Sequence, residues 1–268
     1  MPRVSFNDSA YNLYKQIIDH RASVSELASS VTSELGLNGK QRVICMASSK
    51  LTHNGYENYA LLLLNTLQKE NWNTHLYNCA ATAYNSLGQH QNAIDLLTQY
   101  GKENWNTHLY NCAATAYNGL GQHQNAENTY SEGINLDSNN IFLRVMFSLY
   151  LLENKPRHPD IIKHVTVVIQ HSKQNTTPLY LLAKATYNDL CPKTQFNEIL
   201  ALCNWINKDT REKLIKVSKE GKLEEWEEAI KGITRSGLFS ALEVFDISGI
   251  DRVAYRVGKN KLAPVEFV

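Results

Sequence analysis

Glu70 to Ala93 reads ENWNTHLYNCAATAYNSLGQHQNA, and Glu103 to Ala126 reads ENWNTHLYNCAATAYNGLGQHQNA. A single residue separates the copies, Ser86 in the first and Gly119 in the second. They begin 33 positions apart, at 70 and 103. Self-similarity at that period is the signature of an architecture built from stacked structural repeats. Within the first copy Leu76, Tyr77, Ala80, Ala81, Ala83 and Tyr84 recur at helical spacing, and Leu87, Gly88 and Gln89 supply a turn. A second helix is predicted next, with Ala93, Ile94, Leu97 and Tyr100 on one face and Gly101 at its end. Each copy therefore predicts a helical hairpin. Ala81, Ala93, Ala114 and Ala126 are small enough for paired helices to approach closely, while tyrosines and leucines fill the space between layers.

The spacing Tyr77-x2-Ala80-Ala81-x2-Tyr84 with Ala93-x3-Leu97, and again Tyr110-x2-Ala113-Ala114-x2-Tyr117 with Ala126-x3-Tyr130, resembles the tetratricopeptide repeat (TPR). Gly88 and Gly121 match its turn, and Leu136-Asp137-Ser138-Asn139-Asn140 is similar to its closing Leu-Asp-Pro-Asn-Asn. The resemblance implies an all-α fold, a right-handed α-solenoid of about five TPR-like helix pairs. Projecting the period outward places units at 41–73 (through Ile44, Ser48, Leu51, Gly55, Ala60 and Leu64), 74–106, 107–140, 141–176 and 177–207. The fourth opens on the strong helix IFLRVMFSLYLLENK and has an enlarged turn at 156–159. The fifth carries Tyr180, Ala183, Tyr187, Phe196 and Leu200, lacks the turn glycine, and has Lys184 where a small residue is expected.

Residues 1–40 are expected to form a helical N-terminal cap or decayed repeat, with two amphipathic helices over 9–35 closed by Gly36. Residues 208–268 read as a helical C-terminal segment: two charged helices split at Gly221, a third at LFSALEVF, and the tail RVAYRVGKNKLAPVEFV. That tail alternates about Gly258-Lys259-Asn260 as a β-hairpin would. Solenoids need covers for their terminal apolar faces, and this segment would serve as one.

With 27 basic and 26 acidic residues the chain has no general attraction to nucleic acid or anionic lipid. Five cysteines (Cys45, Cys79, Cys112, Cys191, Cys203) without a C-x-x-C fit buried, reduced thiols and a cytoplasmic location. The opening MPRVSFNDSAYN has no apolar leader core, and the longest apolar run, from Tyr59, is too short for membrane insertion. No phosphate-binding, nucleophile-elbow or zinc motif occurs, so no cofactor or metal is expected and the chain is read as non-enzymatic. His75, His90, His108 and His123 are duplicated along with everything around them and are expected at the polar surface, as are His164 and His171. LEEWEEAI reads as an exposed face around Trp226. The basic run Lys208, Arg211, Lys213, Lys216, Lys219, Lys222 is interleaved with acids and reads as solvated.

The resemblance implies that the first helix of each repeat lines a concave binding surface. On those helices the residues not required for packing are His75, Asn78, Thr82 and Asn85, then His108, Asn111, Thr115 and Asn118. This ladder of neutral hydrogen-bonding groups suits the backbone of an extended peptide. In the fourth unit the matching positions are Phe142, Val145, Leu149 and Leu152, on a helix apolar almost all round. Such a helix is covered on both sides, by this chain's own C-terminal segment or by an amphipathic partner helix, the internal cover being the preferred reading. Some relatives grip acidic C-terminal tails with Lys, Arg and Asn; the matching Cys45, Ser49, Cys79, His108 and Cys112 supply no cation. The expectation is a scaffold or adaptor with a protein or peptide partner. Two alternatives stand beside it: repeats that target a small regulatory or enzymatic C-terminal domain, and a structural subunit of a larger complex.

Overall fold

The computed structural model describes residues 6–19, 23–31, 36–138, 140–171, 177–204 and 206–220, and near the C-terminus four extended segments of two residues each. Thirteen α-helices account for almost all regular structure among the described residues. They are α1 (Phe6–Ile18), α2 (Val24–Ser30), α3 (Gly36–His53), α4 (Glu57–Leu64), α5 (Thr74–Ser86), α6 (His90–Tyr100), α7 (Thr107–Gly119), α8 (His123–Leu136), α9 (Ile141–Asn154), α10 (Asp160–His171), α11 (Thr177–Tyr187), α12 (Lys193–Leu202) and α13 (Lys208–Glu220). Single 3-10 turns at Lys69–Asn71 and Lys102–Asn104 precede α5 and α7.

Helix starts follow from local chemistry. The Asn73 side chain accepts from the amides of His75 and Leu76 at 3.1 and 3.2 Å, and Asn106 does the same for His108 and Leu109 at 3.1 and 3.0 Å. Asn140 caps α9 through Leu143 N at 2.8 Å, and Ser23 with Glu26 forms a reciprocal capping box on α2. Helix ends follow the glycines. Gly88 and Gly121 both sit at φ +71, a left-handed conformation that closes α5 and α7 without a Cβ penalty. The fifth unit has no such glycine, yet its α11 ends in the same bonds: Asn188, Asp189 and Leu190 N–H reach Lys184, Thr186 and Ala185 carbonyls. Asp189 takes the left-handed position at φ +61, one that a short acidic side chain tolerates.

The chain divides into two compact units, residues 1–129 with 235–268 and residues 130–234. In the first unit α1 packs on α2 and α3, α3 on α4 and α5, α5 on α6 and α7, and α6 on α7. This is a repeating hairpin pattern in which α1, α3 and α5 each lie against their own partner and the next first helix. Its core includes Leu76, Leu97 and Leu109, each 0% exposed, and the small residues Ala81 and Ala114, also 0%. Tyr77 stacks on Tyr100 at 4.0 Å within one hairpin, and Trp72 and Trp105 meet Tyr77 and Tyr110 edge-on at 5.3 Å in both copies. In the second unit α9 packs on α10 and α11, and α11 on α10, α12 and α13. Tyr130 stacks on Phe147 at 5.0 Å there.

The one residue that differs between the duplicated stretches has a packing reason. A Cβ at Gly119 would lie 2.2 Å from His90 Nε2, so the glycine of α7 makes room for a histidine of α6. One repeat earlier the position of His90 is held by Glu57, and Ser86 is accommodated. Gly119→Ser is expected to push the His90 ring off Asn85 Oδ1, which it meets at 3.2 Å, and to cost about 0.5–1 kcal/mol after its helix-propensity gain. A double-mutant cycle with His90→Ala should recover that cost; additive costs would sink this account.

Toward the C-terminus Val253–Ala254 pairs antiparallel with Glu266–Phe267, and Val257–Gly258 with Lys261–Leu262. The expected hairpin turn at Lys259 and Asn260, and the expected helices after Gly221, lie outside the described residues. No helix among the described residues is long and apolar enough to cross a membrane.

Candidate binding surface on the first helices

The junctions α3–α5 and α5–α7 are built the same way, by residues 34 positions apart. Cys45 Sγ lies 3.0 Å from Cys79 Sγ, and one layer on Asn78 Oδ1 accepts from the Cys112 thiol at 3.1 Å. Thr82 Oγ1 bonds Asn78 O at 2.8 Å and touches Cys112 Sγ at 3.4 Å, while Asn85 Nδ2 donates to Cys112 O at 2.9 Å. Three residues expected to be spared from packing thus tie α5 to α7. Asn78 is only 2% exposed, which corrects its place on an open ladder, and its buried Nδ2 has no hydrogen-bond partner among the described residues. The physical reason is that neighbouring first helices lie close enough for residues on that face to meet across the junction. Helical spacing alone does not reveal this.

In the second copy His108, Asn111, Thr115 and Asn118 are half-buried, and Asn118 Oδ1 meets His123 Nδ1 at 3.1 Å. His75 is half-buried as well. Burial lowers the pKa of both His75 and His108; for His108, with His75 adding a like charge, it falls to about 4. Of the positions compared with a cationic grip on acidic tails, Cys45, Ser49, Cys79 and Cys112 are between 0% and 5% exposed. Burial raises the Cys112 thiol to about 12.

In the second unit Val145, Leu149 and Leu152 are buried at 5%, 3% and 7%, and Phe142 is half-buried, so α9 has little apolar surface to offer a partner helix. The expectation of a surface His164 is corrected: it is 5% exposed, its Nδ1 accepts from Arg144 Nη1 at 2.8 Å, and its ring is 5.1 Å from Phe147. Arg144 itself is 8% exposed and also donates through Nε and Nη2 to Ser138 O at 3.0 and 2.7 Å. Sequence reasoning passed over this pair. The available signal was a lone arginine inside IFLRVMFSLYLL, since a cation on a buried helix needs partners. Among the described residues no three His, Cys, Asp or Glu side chains are grouped to hold a metal ion.

Burial, reinforced by Arg144, also holds His164 at about 4. Both His108 and His164 take up protons near 6.5 when unfolded and near 4 when folded. Their contribution to stability is therefore expected to be fully present above about pH 6.5 and to decline as pH falls from there toward 4, because the unfolded chain binds the protons first. Each histidine is expected to cost on the order of 1–2 kcal/mol between pH 7 and pH 5. Denaturant titrations of wild type and His108→Asn at both pH values test this: an equal loss in the two proteins removes His108 from the account.

Comparison of the chain with protein-family models, with curated proteins and with solved structures returns no match.

Proposed function

We propose that the chain is a tetratricopeptide-like α-solenoid that works as a non-enzymatic scaffold or adaptor, holding a peptide or partner helix against its first helices. The observation that carries this reading is the recurring junction, Cys45 on Cys79 and then Asn78 on Cys112, which sets α3, α5 and α7 side by side. A row of first helices held rigidly in this way is the surface that stacked-repeat proteins use for recognition. Asn78, Thr82 and Asn85 tie α5 to α7, and the recognition surface of this reading is placed on the half-buried first-helix residues His75, His108, Asn111 and Thr115. At near-neutral pH both histidines are uncharged, which suits hydrogen bonding to a peptide backbone rather than to acidic side chains. The C-terminal hairpin belongs to the same reading as a terminal cover.

The test is affinity capture by the intact chain, wild type against Asn111→Ala/Thr115→Ala. A loss of binding of about tenfold or more, 1.4 kcal/mol, with unchanged helical circular dichroism is the expected result. Unaltered capture would retire this surface. A second reading, a structural subunit that buries its second helices, is favoured by the three most exposed large apolar side chains among the described residues: Leu62 at 55%, Leu136 at 61% and Leu202 at 82%. They lie on α4, α8 and α12, the second helices of their hairpins. If Leu62→Ser and Leu202→Ser abolish capture while the α7 variant does not, the subunit reading replaces the groove reading.

A further inference from the structure

We propose that Cys45 and Cys79 form a thiol–disulfide cross-linking site that ties α3 to α5 when the chain meets a small-molecule disulfide. The two sulfurs are 3.0 Å apart on first helices that pack against each other, about 1 Å beyond the length of an S–S bond. Little else holds them as thiols. The nearest backbone acceptors are His75 O at 3.9 Å from Cys45 Sγ and Cys45 O at 3.7 Å from Cys79 Sγ, both long contacts. The equivalent junction one layer on shows the contrast: there Asn78 faces Cys112 and gives the thiol a side-chain oxygen at 3.1 Å. Cys45 stands where the 33-residue period places Asn78, so the first junction alone sets sulfur against sulfur.

The chemistry is two successive exchanges. One cysteine, as thiolate, attacks a sulfur of the small disulfide, forming a protein–small-molecule mixed disulfide and expelling one small thiol. The other cysteine, as thiolate, attacks the protein sulfur of that mixed disulfide, expels the second small thiol and closes the Cys45–Cys79 bond. The protein loses two protons and two electrons, and the small disulfide receives them as it becomes two thiols. Both sulfurs are covered in the packed state, at 0% and 2% exposure. Exchange therefore proceeds through local separation of the layers, the kind of sub-global opening that packed proteins undergo. Once closed, the cross-link blocks that opening and constrains the unfolded chain between residues 45 and 79. The site is a chemical lock on the α3–α5 junction and is independent of what the scaffold binds.

The experiment incubates the intact chain in native buffer with oxidised glutathione. It then quenches with acid, alkylates the remaining thiols and maps the peptides by mass spectrometry. The expected product joins the Cys45 and Cys79 peptides, lighter by two hydrogen atoms than the reduced pair. Its melting temperature rises by several degrees and falls back on addition of dithiothreitol. Cys112→Ser should leave the cross-link intact. Asn78→Cys, which places the same pair at the next junction, should gain a second cross-link to Cys112. The proposal is overturned if both thiols remain fully alkylatable in excess oxidant, or if Cys79 joins Cys112 as readily as Cys45. An Asn78→Cys chain that closes the first bond and not the second overturns the layer geometry as its cause. The wild-type map decides the main point whether or not a variant folds.

Discussion

Arg144→Ala is expected to destabilise the chain by about 3 kcal/mol, among the largest effects of any single polar substitution. Three of the guanidinium nitrogens are used. Nε and Nη2 hold Ser138 O at 3.0 and 2.7 Å, and Nη1 holds His164 Nδ1 at 2.8 Å. Truncation leaves the buried imidazole nitrogen of His164 without its donor and opens space beside that ring. Arg144→Lys should recover little, because one ammonium cannot span the fork that reaches the carbonyl and the ring together. Arg144→Met should keep the packing and lose the bonds. With the neighbouring cation gone, His164 becomes easier to protonate, so the acid loss between pH 7 and pH 5 becomes shallower in that variant. Denaturant midpoints for the three variants at both pH values provide the measurement, and a change below about 1 kcal/mol for Arg144→Ala would show that the bonds are not made in solution.

Leu109→Ala is expected to cost about 3 kcal/mol, and Leu76→Ala about the same. The two leucines are the same residue in the two copies, both 0% exposed in the first unit's core. Each truncation removes three carbons from a closely packed interior and leaves a cavity that the flanking helices close only in part. Leu202→Ala, at a side chain 82% exposed, should change stability by no more than about 0.5 kcal/mol and serves as the control. If Leu109→Ala behaves like the control, the hairpins are not packed as described. A broadened transition in the leucine variants would instead report that layers unfold separately, as stacked repeats do when their junctions weaken.

Most of the helical architecture was legible in the residues. The duplicated stretch carries its own turns in Gly88 and Gly121, which the sequence reading used, and its own caps in Asn73 and Asn106, which it passed over; both are local signals that act through backbone hydrogen bonds a few residues away. Even the degenerate fifth hairpin was detectable from Tyr180, Ala183, Phe196 and Leu200, although its turn falls at Asp189, where a short side chain replaces the expected glycine. The candidate surface was less legible. A helical wheel separates apolar from polar residues, and it assigned Asn78, Thr82 and Asn85 to the open face on that basis. It does not say how closely the next first helix approaches that face. The same limit hid His164: seven residues from His171 on an amphipathic helix it reads as surface, until Arg144 arrives from a different helix to bury it.

The sequence by itself determined the period, the hairpin as its unit and the turns of the duplicated copies, because these depend on neighbours within about one repeat; Gly36, expected to close the N-terminal helices, instead opens α3, and α2 already ends at Ser30. Only the tertiary structure decided which polar residues are shared between layers, that Gly119 yields to His90, and that Cys45 faces Cys79 rather than Cys112. Those contacts join residues about 20 to 34 positions apart on separate helices, and their partners are selected by the distance and rotation of one helix against the next, which no local pattern encodes.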